Sequence, residues 1–108
     1  MKSSSPQILS DYFSAASDGR IEDTVNCFAD DALVRDENQE RQGLAAIRTW
    51  IEDTTREYQP KSEVARIEAN GDTFVAVATV SGTFPGSPVQ LTYTFTVQNG
   101  KITRLSIQ

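Results

Sequence analysis

The feature that most constrains this chain is the change of apolar period at Pro60. Beyond it, residues 89–98 alternate without a break: Val89, Leu91, Tyr93, Phe95 and Val97 against Gln90, Thr92, Thr94, Thr96 and Gln98. Successive side chains of a strand point to opposite faces, so this segment reads as a strand with one apolar face. The surrounding pattern predicts further strands over 62–70, 73–84 and 101–107. Asn70-Gly71 and Asn99-Gly100 are two-residue hairpin signals, and Pro85-Gly86-Ser87-Pro88 is a third turn. The second half therefore reads as a four-stranded antiparallel meander whose apolar face must be covered. Gly82, inside the long strand, predicts a bulge or bend that curls the sheet.

The first sixty residues supply the cover. Ser5 reads as a cap and Pro6 as the first position of a helix whose stripe is Ile8, Leu9, Tyr12, Phe13 and Ala16, ended by Asp18-Gly19. A short second helix carries Ile21, Val25 and Phe28 on one face, with Cys27 beside Phe28. Ala29-Asp30-Asp31 reads as a turn. A short strand over 32–37 puts Ala32, Val34 and Asp36 on one side and Leu33, Arg35 and Glu37 on the other. Residues 38–42 read as a loop. Gly43 leads into a third helix on which Leu44, Ile47, Trp50 and Ile51 share a face, and Pro60 stops it. Helices precede strands in one domain over 1–108, so the class is α+β. A twisted sheet wrapped over helices leaves a concave cleft at its open end.

Composition removes several function classes. Among 108 residues there are 10 Lys and Arg against 15 Asp and Glu, a net charge of −5, so no nucleic-acid partner is expected. Cys27 is the one cysteine and there is no histidine. Disulfide frameworks, histidine triads, imidazole acid/base chemistry and histidine-type zinc sites are excluded. No glycine loop suits a phosphate, and the spacing of Asp30, Asp31, Asp36, Glu37 and Glu40 does not match a calcium loop, so no cofactor and no metal are expected. No apolar stretch approaches the roughly 18 residues of a membrane helix, and the N-terminal MKSSSPQ has no apolar run behind it. A cytoplasmic protein with no membrane partner is expected.

The residues that carry chemistry are few. Asp36 shares a strand face with Ala32 and Val34; facing an apolar cleft, it can take a proton from a carbon beside a carbonyl and return it elsewhere. The competing reading is a rim aspartate near solvent. Tyr12 and Tyr93 can donate hydrogen bonds to an enolate oxygen, or simply fill the core. Phe13, Val34, Trp50 and Phe95 read as ligand-binding pocket wall or core. Cys27 has no basic neighbour in sequence and reads as a buried, inert thiol. Arg48 and Arg56 read as solvated, with Glu52 placed to pair with Arg48.

Several stretches together resemble a known group. They are Gly19-Arg20-Ile21-Glu22, Phe28-Ala29-Asp30-Asp31-Ala32, Val34-Arg35-Asp36, Gly43-Leu44-Ala45-Ala46-Ile47-Arg48 and Asn99-Gly100-Lys101-Ile102. In this the chain resembles the nuclear transport factor two-like superfamily, which includes ketosteroid isomerase and the SnoaL-like polyketide cyclases. The resemblance implies a cone: three N-terminal helices packed on a strongly bent, mixed, mainly antiparallel sheet. It implies that Asp36 stands where ketosteroid isomerases carry their general base, that Tyr12 stands at the oxyanion tyrosine, and that Tyr93 falls at the second oxyanion donor. Glu37 replaces the proline usual after the base. There is no Asp or Glu after Asp72, so the late-strand carboxylate of SnoaL-like cyclases has no counterpart. The resemblance also implies homodimers through the outer sheet face, where Gln90, Thr92, Thr94, Thr96 and Gln98 form a charge-free row. The expected function is a cofactor-independent pocket protein moving a proton on an apolar, carbonyl-containing small molecule. The alternative is a non-catalytic ligand-binding or dimerisation module.

Overall fold

A computed structural model describes residues 6–108. Helix α1 spans Gln7–Asp18 and buries Leu9, Tyr12 and Phe13 of the sequence stripe together with Ala15 beside it. Its end follows from Gly19, whose φ of 72° lets its N–H return to the carbonyls of Ala15 and Ala16. Pro6 precedes the helix in extended conformation rather than occupying its first position, and the capping role read for Ser5 lies outside the described residues. Helix α2 spans Ile21–Val25 and α3 spans Leu44–Tyr58, with Ile47, Trp50 and Ile51 buried. Gln59, at φ 46°, turns the chain out of α3 ahead of Pro60.

Six strands follow the order β2-β1-β6-β5-β4-β3. They are β1 (Phe28–Asp36), β2 (Gln39–Gln42), β3 (Lys61–Asn70), β4 (Thr73–Ser81), β5 (Val89–Gln98) and β6 (Lys101–Ile107). All pairings are antiparallel except β1 with β6, which is parallel. The sheet is therefore mixed and mainly antiparallel, as the α+β cone requires. Its inner face presents Phe74, Ala76, Ala78, Val80, Tyr93, Phe95 and Leu105 to one core with Leu9, Phe13, Val25, Ile47 and Ile51 of the helices.

The structure corrects the sequence reading at five further places. Phe28 and the Ala29-Asp30-Asp31 segment belong to β1, not to the second helix and a turn; Cys27 lies between the two, its carbonyl accepting the Ile102 N–H at 2.9 Å. The pairing energy of a long-range strand overrides local turn chemistry here. Residues 39–42 form β2 instead of a loop, joined to β1 by Glu37 and Asn38 at φ 55° and 63°. A glutamate in the left-handed region carries no turn signature, which is why this hairpin is hidden in the sequence. The β3–β4 hairpin turns at Gly71-Asp72, since Asn70 pairs with Thr73. Arg48 pairs with Glu22 of α2, one of its bonds being 2.9 Å, rather than with Glu52.

The fifth correction concerns Gly82, which follows the end of β4 and is not the bulge. The register shifts lie between Val64 and Arg66, between Thr96 and Val97, and between Phe28 and Leu33; these bend the strands. Gly82 instead lets two backbones touch: a Cβ there would stand 2.3 Å from the Tyr58 carbonyl oxygen, which already accepts the Thr83 N–H at 2.8 Å. Backbone cannot swing aside as a side chain does. Gly82→Ala is therefore expected to destabilise the protein by about 1–3 kcal/mol, the range for forced overpacking, read as a lower urea midpoint at unchanged slope.

Candidate functional site

The cone encloses a cavity of about 500 Å³ between the helices and the inner sheet face. Helix α1 contributes Tyr12, α3 contributes Trp50, Ile51, Thr54 and Tyr58, and the sheet contributes Asp36, Ser62, Val80, Leu91, Tyr93 and Ile107. Phe84 and Pro85, on the segment after β4, close one side. The wall is mainly apolar with a few convergent polar groups, the usual make-up of a small-molecule site.

Asp36 is the last residue of β1 and is half-buried. The Trp50 indole N–H donates to its Oδ2 at 3.0 Å. Oδ1 has no hydrogen-bond partner among the described residues, and no buried side-chain oxygen is left unpaired among them; Oδ1 is therefore accessible, on a residue that lines the cavity. The backbone carbonyl of Asp36 accepts from Arg41 at 2.9 Å, which anchors the strand end without touching the carboxylate.

Tyr12 and Tyr93 also line the cavity. Burial pushes the Tyr12 hydroxyl well above the ordinary phenol range, and electrostatic repulsion from Tyr93 when ionised and from Asp36 acts in the same direction. Tyr93 is raised too, mainly by burial and further by Asp36, with the nearby Ser62 side chain acting in the opposite sense. Both are hydrogen-bond donors across the physiological range. Their rings are held by Phe13 and Phe95: Tyr12 meets Phe95 edge-on at 5.5 Å, and Phe13 meets Tyr93 edge-on at 5.1 Å.

A family model described as a SnoaL-like domain matches residues 9–105. The chain belongs to the SnoaL-like family. The resemblance read from Phe28-Ala29-Asp30-Asp31-Ala32 and its neighbours is thereby borne out. Among solved structures, a candidate polyketide cyclase from Sinorhizobium meliloti is 40% identical, with a TM-score of 0.92 over 96% of this chain and 95% of its own. A protein with a ketosteroid isomerase-like fold from Catenulispora acidiphila, in complex with trimethylamine, is 17% identical, with a TM-score of 0.86 over 97% and 86%. The epoxide hydrolase/cyclase-like enzyme SalBIII, of pyran ring formation in the polyether salinomycin, is 20% identical, with a TM-score of 0.84 over 94% and 86%. The last two share the fold. Among curated proteins none matches.

Within this SnoaL-like domain, Tyr12, Asp36, Trp50 and Tyr93 line one cavity. Phe13, Val34 and Phe95 do not; they sit in the core behind the wall, Val34 and Phe95 with no exposed surface. Strand alternation for Val34 and Phe95 and the helical stripe for Phe13 assign the correct face, but a face is two layers deep where helices press on it. Thr54 and Tyr58 are missed by the sequence reading, although they continue the Trp50 face at four-residue steps. Ser62 shares its strand face with Val64, which gives a weaker signal. Phe84 falls inside the strand read over 73–84, but β4 ends at Ser81, and the irregular segment beyond carries Phe84 to the cavity. Among the described residues no helix is long and apolar enough to cross a membrane.

Cys27 is buried, and burial pushes its thiol from 9.0 up to about 11. Like Tyr12 and Tyr93, it stays protonated in the folded state at pH values where the unfolded chain ionises. Each such group stabilises fully below its unfolded pKa and loses that contribution as pH rises through its folded one. Stability is therefore expected to fall from pH 9.0 through about 11 for the thiol, and above 10.0 for the two phenols. Urea midpoints at about pH 8 and about pH 11 test this, with Tyr12→Phe and Tyr93→Phe each flattening the alkaline limb.

Proposed function

We propose that the cavity performs proton transfer on an apolar, carbonyl-containing small molecule, with Asp36 as general base and Tyr12 and Tyr93 as oxyanion donors. The observation that carries this reading is that Asp36, with one carboxylate oxygen unpartnered, and two protonated tyrosines line one mainly apolar space. Trp50 holds Oδ2 and orients the carboxylate, which leaves Oδ1 to accept a proton from a carbon beside the carbonyl. The carbon's electron pair moves to the carbonyl oxygen, where a phenol O–H meets the developing charge. Asp36 then returns the proton to another carbon, completing an isomerisation with no cofactor. The 40% identical candidate cyclase supports the same first step, because ring closure onto a second carbonyl also begins with an enolate. With no carboxylate after Asp72, Asp36 serves as the base in either outcome.

On an enolisable ketone that the protein turns over, Asp36→Asn is expected to lower kcat by about 10²–10⁴-fold, since an amide cannot hold the proton. Tyr12→Phe should lower it less, because Tyr93 still donates. Unchanged turnover in Asp36→Asn removes the base assignment and leaves a non-catalytic binding module.

We further propose a homodimer through the outer sheet face. Thr92, Thr94 and Thr96 of β5 are half-buried there already. Their neighbours in register on β4 are Val77, Val75 and Thr73. This uncharged strip of β5 and β4 is flanked by Arg104 of β6 beside Thr96 and by Arg66 and Glu68 of β3 beside Val77 and Val75, so the contact with a twin sheet centres on the strip with charges at its rim. A self-complementary interface repeats its centre on both partners, so Thr94→Lys sets like charges together. Light scattering at micromolar concentration is expected to give twice the chain mass for the unmodified protein and the chain mass for Thr94→Lys. A monomer before mutation overturns the assignment.

A further inference from the structure

The charge around the cavity is one-sided. Asp36 and Glu37 line it, and among the described residues no lysine or arginine does; the chain has no histidine. Arg41 reaches the same strand end, but its guanidinium is held by the carbonyls of Asp36 and Gln39, at 2.9 and 3.4 Å, and by the Gln39 side chain at 3.3 Å. It is not part of the wall. Tyr12, Trp50, Tyr58, Phe84 and Tyr93 surround the same space.

These facts rank ligands by charge. A carboxylate or phosphate would leave water for a site with two like charges and no counter-charge, which is costly. A neutral molecule enters freely but offers the open Oδ1 of Asp36 no charged donor. An ammonium group satisfies that oxygen with a charge-assisted hydrogen bond and is further attracted by aromatic rings. The Asp36 charge that helps push the Tyr12 and Tyr93 phenols up acts on a cation in the favourable sense.

We propose that the cavity is a binding site for organic ammonium ions, with the nitrogen seated on Asp36 Oδ1 and the hydrocarbon part against the aromatic wall. This goes beyond the acid/base reading and does not rest on it, because binding needs no turnover. An ammonium on Oδ1 uses the oxygen that a carbonyl substrate's proton would reach, so the two ligands exclude each other.

Trp50 is the chain's one tryptophan and lines the cavity, so its fluorescence reports occupancy, with calorimetry as the second measurement. The probes are three matched molecules: cyclohexylmethylammonium, cyclohexylmethanol and cyclohexanecarboxylate. At neutral pH the ammonium is expected to bind about tenfold more tightly than the alcohol, a factor that one desolvated cation contact accounts for, and the carboxylate weakest of all. Asp36→Asn, in which the amide oxygen can still accept from Trp50, should bring the ammonium down to the affinity of the alcohol and leave the alcohol unchanged. Glu37→Gln, at an exposed turn, should cause a smaller loss; it is the working variant if Asp36→Asn melts early. Equal affinity for ammonium and alcohol, no ammonium binding, or tightest binding of the carboxylate overturns the proposal. An ammonium preference that survives in a folded Asp36→Asn variant overturns it as well. Ketone turnover that is unchanged in Asp36→Asn, with the ammonium preference of the unmodified protein intact, would strike only the acid/base reading.

Discussion

The site depends on the parallel pairing of β1 with β6. That contact joins the N-terminal half of the chain to the end of the C-terminal meander. Asp36 stands opposite Ile107, and Ile107 stands opposite Tyr93 on β5. Partners in register share a sheet face, so a carboxylate and a phenol separated by most of the sequence are set two strands apart. At the usual strand spacing that is roughly 10 Å, enough to hold a small molecule between them. Without the pairing, β1 and β2 would be an isolated hairpin, which is marginal in water.

The second support is aromatic. Phe13 and Phe95 lie behind the cavity wall and pack edge-on against the rings of Tyr12 and Tyr93, with Phe13 and Phe95 themselves 5.7 Å apart. Such pairs contribute about 0.5–1.5 kcal/mol each beyond their burial. The same packing that stabilises the core strips water from the two phenols and keeps them protonated. Core and site are thus one aromatic cluster, with hydroxyls on the side that opens to the cavity. Trp50 links this cluster to Asp36: its ring belongs to the buried face of α3 and its N–H fixes the carboxylate.

Legibility in the sequence followed the length of the periodic signal. The stripe of α1, the buried face of α3 and the strict alternation of 89–98 each reach over several turns or strand repeats, and all appear in the structure. Short signals yielded to distant contacts. Ala29-Asp30-Asp31 has turn composition yet lies within β1, which pairs with β6. Glu37-Asn38 makes a tight hairpin through backbone conformations that glutamate seldom adopts, and its polar neighbours look like any loop. Gly82 carries no side chain for a reason that lies at Tyr58, on another element. At the site, Asp36 and the two tyrosines stand out because polar groups on apolar faces are rare; Phe84 does not, because the strand read through it ends at Ser81 and its direction is set by the irregular segment beyond.

The sequence by itself determined which side chains share a face: Ala32, Val34 and Asp36 on β1, Tyr93 and Phe95 on β5, Tyr12 and Phe13 on α1. That follows from local backbone geometry, which repeats every two residues in a strand and about every 3.6 in a helix. Only the tertiary structure decided which residues of those faces meet an open space. Val34, Phe13 and Phe95 are covered by the elements packed over them, while Asp36, Tyr93 and Tyr12 lie where the helices and the bent sheet diverge. That divergence is set by register shifts, by the β1–β6 pairing and by the Gly82–Tyr58 backbone contact, all of them distances between segments remote in the chain.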